Sequence, residues 1–409
     1  MPDFLEPGLK NILTTSIILS VLACVIMPAS ALADIAGRAV TVINSWEEED
    51  ETSNSSVSEY FDLRSRGRLG LYRLEIEASG RVTGIQNEFD PNDDELNRLY
   101  SLALSLSDSE MSRSLTLGRQ TVSPLTGPLL LDGASANLTT GPITLNTRWG
   151  FLANVTGDDP DNDRAFGIGF NYLIKSGMYL SMDYARTFAG GSLLTELLAA
   201  DWSYSWHRFT KAYFTINYDL MSRTLHEMLL GTRLFFSDRL SAGFQYSQNT
   251  FQFDSDSIYS VFAIDPVQES AFSLLFTPAR DVRYLLEYAR EHFSEGAGGR
   301  RYTIGGRWTP GNSRLKGNLT QHKGFGGEMI EISLGASAPV LPSLSLGIGG
   351  DIANTKNSGE DNVTSYAAFL GSDWTLSTRS RLTVRLERSD DEILLNPTWA
   401  GRLSFSLEL

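Results

Sequence analysis

The residues best placed to do chemistry are charged side chains recurring along the last third of the chain. Arg283 and Glu287, then Arg301 and Arg307, then Arg314 and Lys316, and finally Arg381, Arg385, Glu387, Arg402 and Glu408 stand in the polar phase of a period-two pattern. On neighbouring strands the first three sets would form a basic stripe, and cations lining a pore attract anions. The same residues could instead pair, Arg against Glu across adjacent strands, and stiffen a wall. Both arrangements fit the spacing.

Catalytic constellations are harder to assemble. The histidines are His207, His226, His292 and His322, and none has the spacing of a metal pair. His226 shares its phase with Met228 and Leu230, but no His-x-Ser-Asn-Gly sequence accompanies it, so a rim or turn histidine is the expectation rather than a nucleophile's base. Asp159, Asp161 and Asp163 have the spacing of the first ligands of a calcium loop, yet the turn glycine and closing glutamate are missing, which favours a solvated loop. The one cysteine, Cys24, lies inside an N-terminal apolar run, so the remainder of the chain has no thiol for disulfides, zinc or covalent haem. The chain is expected to be neither an enzyme nor a holder of a metal or cofactor.

The elements that must position these charges announce themselves at the C-terminus. From Trp399 onward, Trp399, Gly401, Leu403, Phe405, Leu407 and Leu409 alternate with Ala400, Arg402, Ser404, Ser406 and Glu408. Such a strand has one face for hydrocarbon and one for water. Similar runs recur from Gly37 onward, and counting each once gives about 22 strands, with 18 as a lower bound. One ambiguous stretch, Leu193 to Ala200, also fits a short helix. Connections alternate as well. Tight turns are expected at Thr140-Gly141-Pro142, Lys175-Ser176-Gly177, Ser237-Asp238, Thr277-Pro278 and Thr309 to Asn312, and longer polar segments at 87–97, 157–163, 250–268, 291–299 and 354–362. The expectation is a single large antiparallel transmembrane β-barrel, with short periplasmic turns, long extracellular loops and both termini on the short-turn side. Its closing strand would pair with Gly37 to Trp46, turning Arg402 and Glu408 inward. Trp46, Trp202, Trp206, Trp308 and Trp399 near strand ends suit interfacial girdles. Loop 250–268 carries Asp254, Asp256, Tyr259, Phe262 and Asp265, and either folds into the lumen as a constriction or stays outside.

The N-terminus supplies the address. Ile12 to Met27 is an apolar run of signal-peptide length, followed by Ala31-Leu32-Ala33, so residues 1–33 are expected to be a cleaved leader and 34–409 the barrel. Two other readings stand beside it: an uncleaved membrane helix, and lipidation at Cys24, since Val21-Leu22-Ala23-Cys24 loosely matches a lipobox. The net charge of −15 becomes −14 once Lys10, Asp3 and Glu6 leave with the leader, which argues against nucleic acid as a partner. A mean hydropathy of −0.14 does not discriminate, because alternation hides a lipid-facing surface from averages.

Two stretches carry a resemblance. Leu117-Gly118-Arg119-Gln120 followed by Leu131-Asp132-Gly133, and the run from Ser257 to Asp265, resemble sequences of porin-like outer-membrane barrels of Gram-negative bacteria, most of them uncharacterised. The resemblance implies a β-barrel and passive transport, from which no substrate follows; the basic stripe adds small polar or anionic solutes as the expected cargo, and a homo-oligomer is an open option. It also implies outer-membrane lipid and lipopolysaccharide as surroundings, and barrel-assembly machinery reading the strand Trp399 to Leu409. Porins usually end in Phe or Trp, a place Leu409 takes here. The alternative is a structural barrel that sheathes a partner, for example a separate electron-transfer protein, and conducts nothing by itself.

Overall fold

A computed structural model describes residues 32–47, 53–86, 98–153, 163–174, 177–206, 209–250, 267–293, 297–324, 327–357, 362–391 and 398–408. Its strands are β1 (Leu32–Glu47), β2 (Ser53–Leu69), β3 (Tyr72–Gln86), β4 (Arg98–Asp108), β5 (Arg113–Val122), β6 (Leu129–Thr140), β7 (Ile143–Leu152), β8 (Arg164–Ile174), β9 (Met178–Ala189), β10 (Ser192–Trp206) and β11 (Thr210–Asp219). They continue as β12 (Thr224–Phe235), β13 (Leu240–Asn249), β14 (Val267–Ala279), β15 (Val282–His292), β16 (Gly298–Trp308), β17 (Arg314–Gly324), β18 (Gly327–Leu341), β19 (Leu344–Asn357), β20 (Asn362–Ser377), β21 (Ser380–Asp391) and β22 (Thr398–Glu408). Each strand pairs antiparallel with its chain neighbours, and β1 pairs with β22 from Arg38↔Glu408 to Trp46↔Ala400. The 22-stranded sheet is therefore closed and up-and-down, with no helix among the described residues.

Closure answers a hydrogen-bonding problem. In hydrocarbon no water can satisfy a free strand edge, so a spanning sheet must pair its first strand with its last. Period-two alternation then sorts the side chains. One phase exposes large apolar groups all round the wall, among them Trp149 at 58%, Ile304 at 56%, Leu334 and Leu370. The other phase is small or polar, and its hydroxyls pair across strands: Ser79 with Ser101 at 2.6 Å, Ser105 with Thr116 at 2.8 Å, Ser389 with Thr398 at 2.7 Å. Among the described residues the buried set is accordingly mostly small, Ala103, Ala165, Ala185, Ala199 and Ala289 with Ser101, Ser181 and Ser241, and Val42 and Leu131 are its larger aliphatics. In water the outer belt would aggregate, whereas a bilayer matches it. On β22, Leu403→Arg is expected to cost about 2–4 kcal/mol in lipid vesicles and Ser404→Arg about none, because only the first puts charge on the outer face; denaturant unfolding of the two variants checks this.

Local departures from the expected pattern have identifiable causes. Leu193 to Ala200 is strand, part of β10, and its unclear period reflects a register shift between Leu193 and Thr195. Thr277-Pro278 lies inside β14 at an irregularity between Phe276 and Ala279, and the tight turn follows at Arg280-Asp281. A proline lacks the N–H for a ladder bond, so an irregular strand end accommodates it. The long-loop side also holds short connections, at Gly190-Gly191 and 325–326. Gly190 and Gly191 both have positive φ, at 55° and 86°, which closes the β9–β10 turn without strain. Of the expected leader only Leu32 and Ala33 are described, and pairing is regular from Asp34 onward; Cys24 and Leu409 lie outside the described residues.

Candidate pore lining

Three groupings of charge stand in the inward-facing phase. The first lies near the short-turn end. Arg283 opposes Arg307, and Arg307 opposes Lys316, on consecutive strands β15, β16 and β17. Arg314 is two residues from Lys316 in the same phase. Further round the wall Lys211 on β11 opposes Arg233 on β12. All six side chains are exposed, and none makes an ion pair with a described residue. Cross-strand neighbours stand about 5 Å apart, and like charges directly opposed destabilise a sheet. Such rows persist where an anion or water occupies the space before them.

The second grouping is nearer the long loops and is paired internally, with three glutamates around one arginine. Arg301 on β16 approaches Glu269 at 2.9 Å, Glu291 at 3.5 Å and Glu287 at 3.6 Å. His322 on β17 adds a contact of 2.9 Å from its Nε2 to Glu291 Oε2. Gly299 on β16 makes room, since a Cβ there would meet the Glu291 carboxylate at 2.8 Å. Arg301 and Glu287, expected in one basic stripe with the rest, thus form a paired cluster with two further glutamates. Arg283, Arg307, Arg314 and Lys316 thus make no ion pair with a described residue, whereas Arg301 is paired.

The residues near the seam divide likewise. Arg381 is bound by Asp373. Arg385 pairs with Glu387 at 2.9 Å and lies 4.5 Å over the Phe369 ring. Arg402 is exposed and opposes Arg385 across β21–β22, with no ion pair among the described residues. On the other side of the seam, Arg66 meets Glu75 at 3.3 Å and Arg64 lies between Asp62 and Glu77.

The third grouping is legible only with the register in hand. Arg148 on β7 and Asp183 on β9 are each 4% exposed and joined bidentately, Nη1 to Oδ1 at 2.8 Å and Nη2 to Oδ2 at 2.7 Å. A whole strand, β8, separates them. It is crossed at Gly167, whose absent Cβ would lie 2.3 Å from the Arg148 guanidinium carbon. Thr126, in the 123–128 connection between β5 and β6, donates from Oγ1 to Asp183 Oδ2 at 2.7 Å. That short loop therefore folds inward over the wall, bounding a polar cavity of about 350 Å³ with Ser135, Asn146, Asn171, Tyr179 and Ser181. A second cavity of about 250 Å³ includes Arg233, Gln245, Glu269, Glu287 and Arg301.

The remaining candidate residues fall elsewhere. Asp254, Asp256, Tyr259, Phe262 and Asp265 lie outside the described residues, as do Asp159, Asp161 and His207. His226 sits at a bulge between the Asn217↔Glu227 and Tyr218↔Leu225 pairs, and its Nε2 stands 3.7 Å from Asp219 Oδ2, which takes it out of the apolar phase of Met228. Arg119 and Asp132, from the two short sequences that carry the resemblance, form an outward-facing ion pair at 2.6 Å. Flanking them in the chain, Gly118 has φ +113° and Gly133 lies against the β7 backbone, where a Cβ would come 2.2 Å from the Trp149 oxygen. Those motif glycines serve close strand approach. Of the tryptophans, Trp202, Trp206, Trp308 and Trp399 share the outward phase, while Trp46, opposite Ala400, is in the phase of Arg402.

No protein-family model matches the chain, and neither does any curated protein. Among solved structures it is similar to OccK3 (OpdO) of Pseudomonas aeruginosa, at 11% identity and a TM-score of 0.47 over 92% of this chain and 96% of that one. It is also similar to OccAB1 of Acinetobacter baumannii, at 11% identity and a TM-score of 0.48 over 93% and 97%. The P pilus usher (PapC) translocation pore aligns at 11% identity and a TM-score of 0.45 over 92% and 99%. Strand count and closure stand on the chain's own register: it is an all-β, closed, 22-stranded antiparallel barrel.

Proposed function

We propose that the protein is an outer-membrane channel for passive diffusion of small polar or anionic solutes. The observation that carries this reading is the set of inward-phase cations that make no ion pair with a described residue, Lys211, Arg233, Arg283, Arg307, Arg314 and Lys316, gathered near the short-turn end. An anion entering from the long-loop side passes the Arg301 cluster, whose glutamates outnumber its cations, and beyond it meets cations that make no ion pair with a described residue. The cations offer a passing anion favourable contacts along the short-turn end of the path. The short-turn end is assigned to the periplasm by the usual asymmetry of such barrels. The inward 123–128 loop narrows the β6–β9 side. A leader spanning residues 1–33 delivers the chain to the outer membrane.

Purified protein in planar bilayers under a salt gradient tests this. The expected result is discrete conductance steps with a reversal potential of the sign for anion preference. Insertion into vesicles with no steps overturns the channel in favour of a partner-sheathing barrel, and steps with cation preference overturn the role of the basic rows.

A further inference from the structure

A second basic row runs on the opposite face of the wall. Arg290 opposes Arg300, Arg300 opposes Lys323, Lys323 opposes Glu328, and Glu328 opposes Lys356, so one continuous line crosses β15 to β19. These residues share the outward phase with Tyr288, Tyr302, Ile330 and Ile352, and they lie at the long-loop ends of their strands. Four cations stand against one carboxylate, which is held by Lys323 at 3.4 Å and by Gln321 at 2.9 Å. Arg290, Arg300 and Lys356 have no ion pair among the described residues, and all are exposed.

A groove of about 460 Å³ opens among Arg290, His292, Gly298, Arg300, Lys323 and Gly324. Glu291 also borders it, but that carboxylate is engaged on the inner side by His322 and Arg301. Glycine at 298 and 324 leaves the groove without side-chain walls of its own. Directly below stands the tilted Tyr288–Tyr302 pair, ring centroids 5.1 Å apart, and below that Leu286, Ile304 and Leu319, all exposed outward. Read from rim to belt, the surface is a cationic groove, then phenols, then hydrocarbon. That sequence of chemistries matches an amphiphile standing upright in a leaflet. Like charges opposed on adjacent strands cost stability unless an anion lies between them, and guanidinium pairs suit phosphate oxygens in particular.

We propose that Arg290, Arg300, Lys323 and Lys356 form a docking site for the phosphorylated headgroup of a membrane amphiphile in the leaflet on the long-loop side. Its acyl chains lie along the β15–β18 wall beneath the tyrosine pair. The assignment rests on the reading of the outer belt as lipid-facing and is independent of channel activity.

The test is native mass spectrometry of the full barrel in neutral detergent, titrated with diphosphoryl lipid A, with phosphatidylethanolamine and inorganic phosphate as separate competitors. Wild type is expected to retain the lipid, and R290Q/R300Q/K323Q to bind it about a hundredfold more weakly, each cation near the surface contributing about fivefold. R300Q alone, expected about fivefold weaker, serves should the triple variant fail to fold, as judged by heat-modifiable mobility on gels. R283Q/R307Q/K316Q removes the same charge from the inward phase and is expected to bind like wild type. Equal retention by the outward triple and wild type overturns the site, as does equal loss in the inward triple. Displacement by inorganic phosphate at concentrations equal to the lipid's makes it a free-anion site and overturns the lipid assignment. Failure of wild type to insert into vesicles at all would instead remove the membrane reading itself.

Discussion

Replacing Arg283, Arg307 and Lys316 together by glutamate turns an anion-preferring conductance into a cation-preferring one. The three are opposed in direct register and make no ion pair with a described residue, so no described carboxylate cancels their charge. At about 8 Å in water one unit charge acts on a passing ion with about 0.5 kcal/mol, and physiological salt reduces this to about 0.2 kcal/mol. Exchanging three cations for three anions, with opposite effects on the two ion types, changes the permeability ratio more than about tenfold. Reversal potentials at two salt concentrations read this directly, and the effect shrinks at the higher one. Arg301→Gln should also shift preference toward cations, but for another reason: it uncovers Glu269, Glu287 and Glu291. Unchanged selectivity in the triple variant would place the conducting path away from this arc.

Asp183→Ala is expected to be the most destabilising single change in the described wall. It leaves the Arg148 guanidinium buried with its partner gone, a situation that costs about 3–5 kcal/mol, against about 0–1 kcal/mol for an exposed pair such as Arg66–Glu75. Thr126 loses its acceptor in the same step, so the 123–128 loop gives up its bond to β9 and keeps the longer one that Arg148 Nη2 donates to Thr126 Oγ1 at 3.2 Å. Urea unfolding in vesicles followed by tryptophan fluorescence measures the first effect, and higher, noisier single-channel conductance reports the second. Arg148→Met combined with Asp183→Leu should recover most of the stability, because the penalty lies in the orphaned charge. A loss below about 1 kcal/mol for Asp183→Ala would mean that water reaches the pair.

The strands were legible because a barrel wall imposes one rule at every position: neighbouring residues face opposite media. Leu403, Phe405 and Leu407 against Arg402, Ser404 and Ser406 declare both faces before any partner strand is known, and β1 completes them in the expected register. The rule fails where the backbone slips. His226, displaced by a bulge, left its phase, and Leu193 to Ala200 lost its period at another. Which cations stay free was not legible. Arg301 and Arg307 are six residues apart on one strand and equivalent in sequence, and only cross-strand neighbours distinguish them. Lys211 and Arg233 did lie in the polar phase, yet their opposition depends on register. Arg148 and Asp183 were hidden further, since they meet across an intervening strand whose contribution is the lack of a side chain at Gly167. The phase of Arg290, Arg300 and Lys323 could be read from sequence, but their alignment in one row could not.

The β1–β22 seam also governs how such a wall can be made. Arg38 must find Glu408, so nearly the whole chain lies between the two strands that close it. Contacts of such long range are slow to form, since chain entropy is lost before they contribute anything. Until they do, every partly assembled sheet carries two ragged margins of unpaired amides together with an apolar belt, the combination most prone to joining with another copy. The finished barrel has no margin left to offer. Its vulnerability is confined to the interval before closure, and a helper that holds one margin while hairpins accumulate at the other would protect the chain during that interval alone.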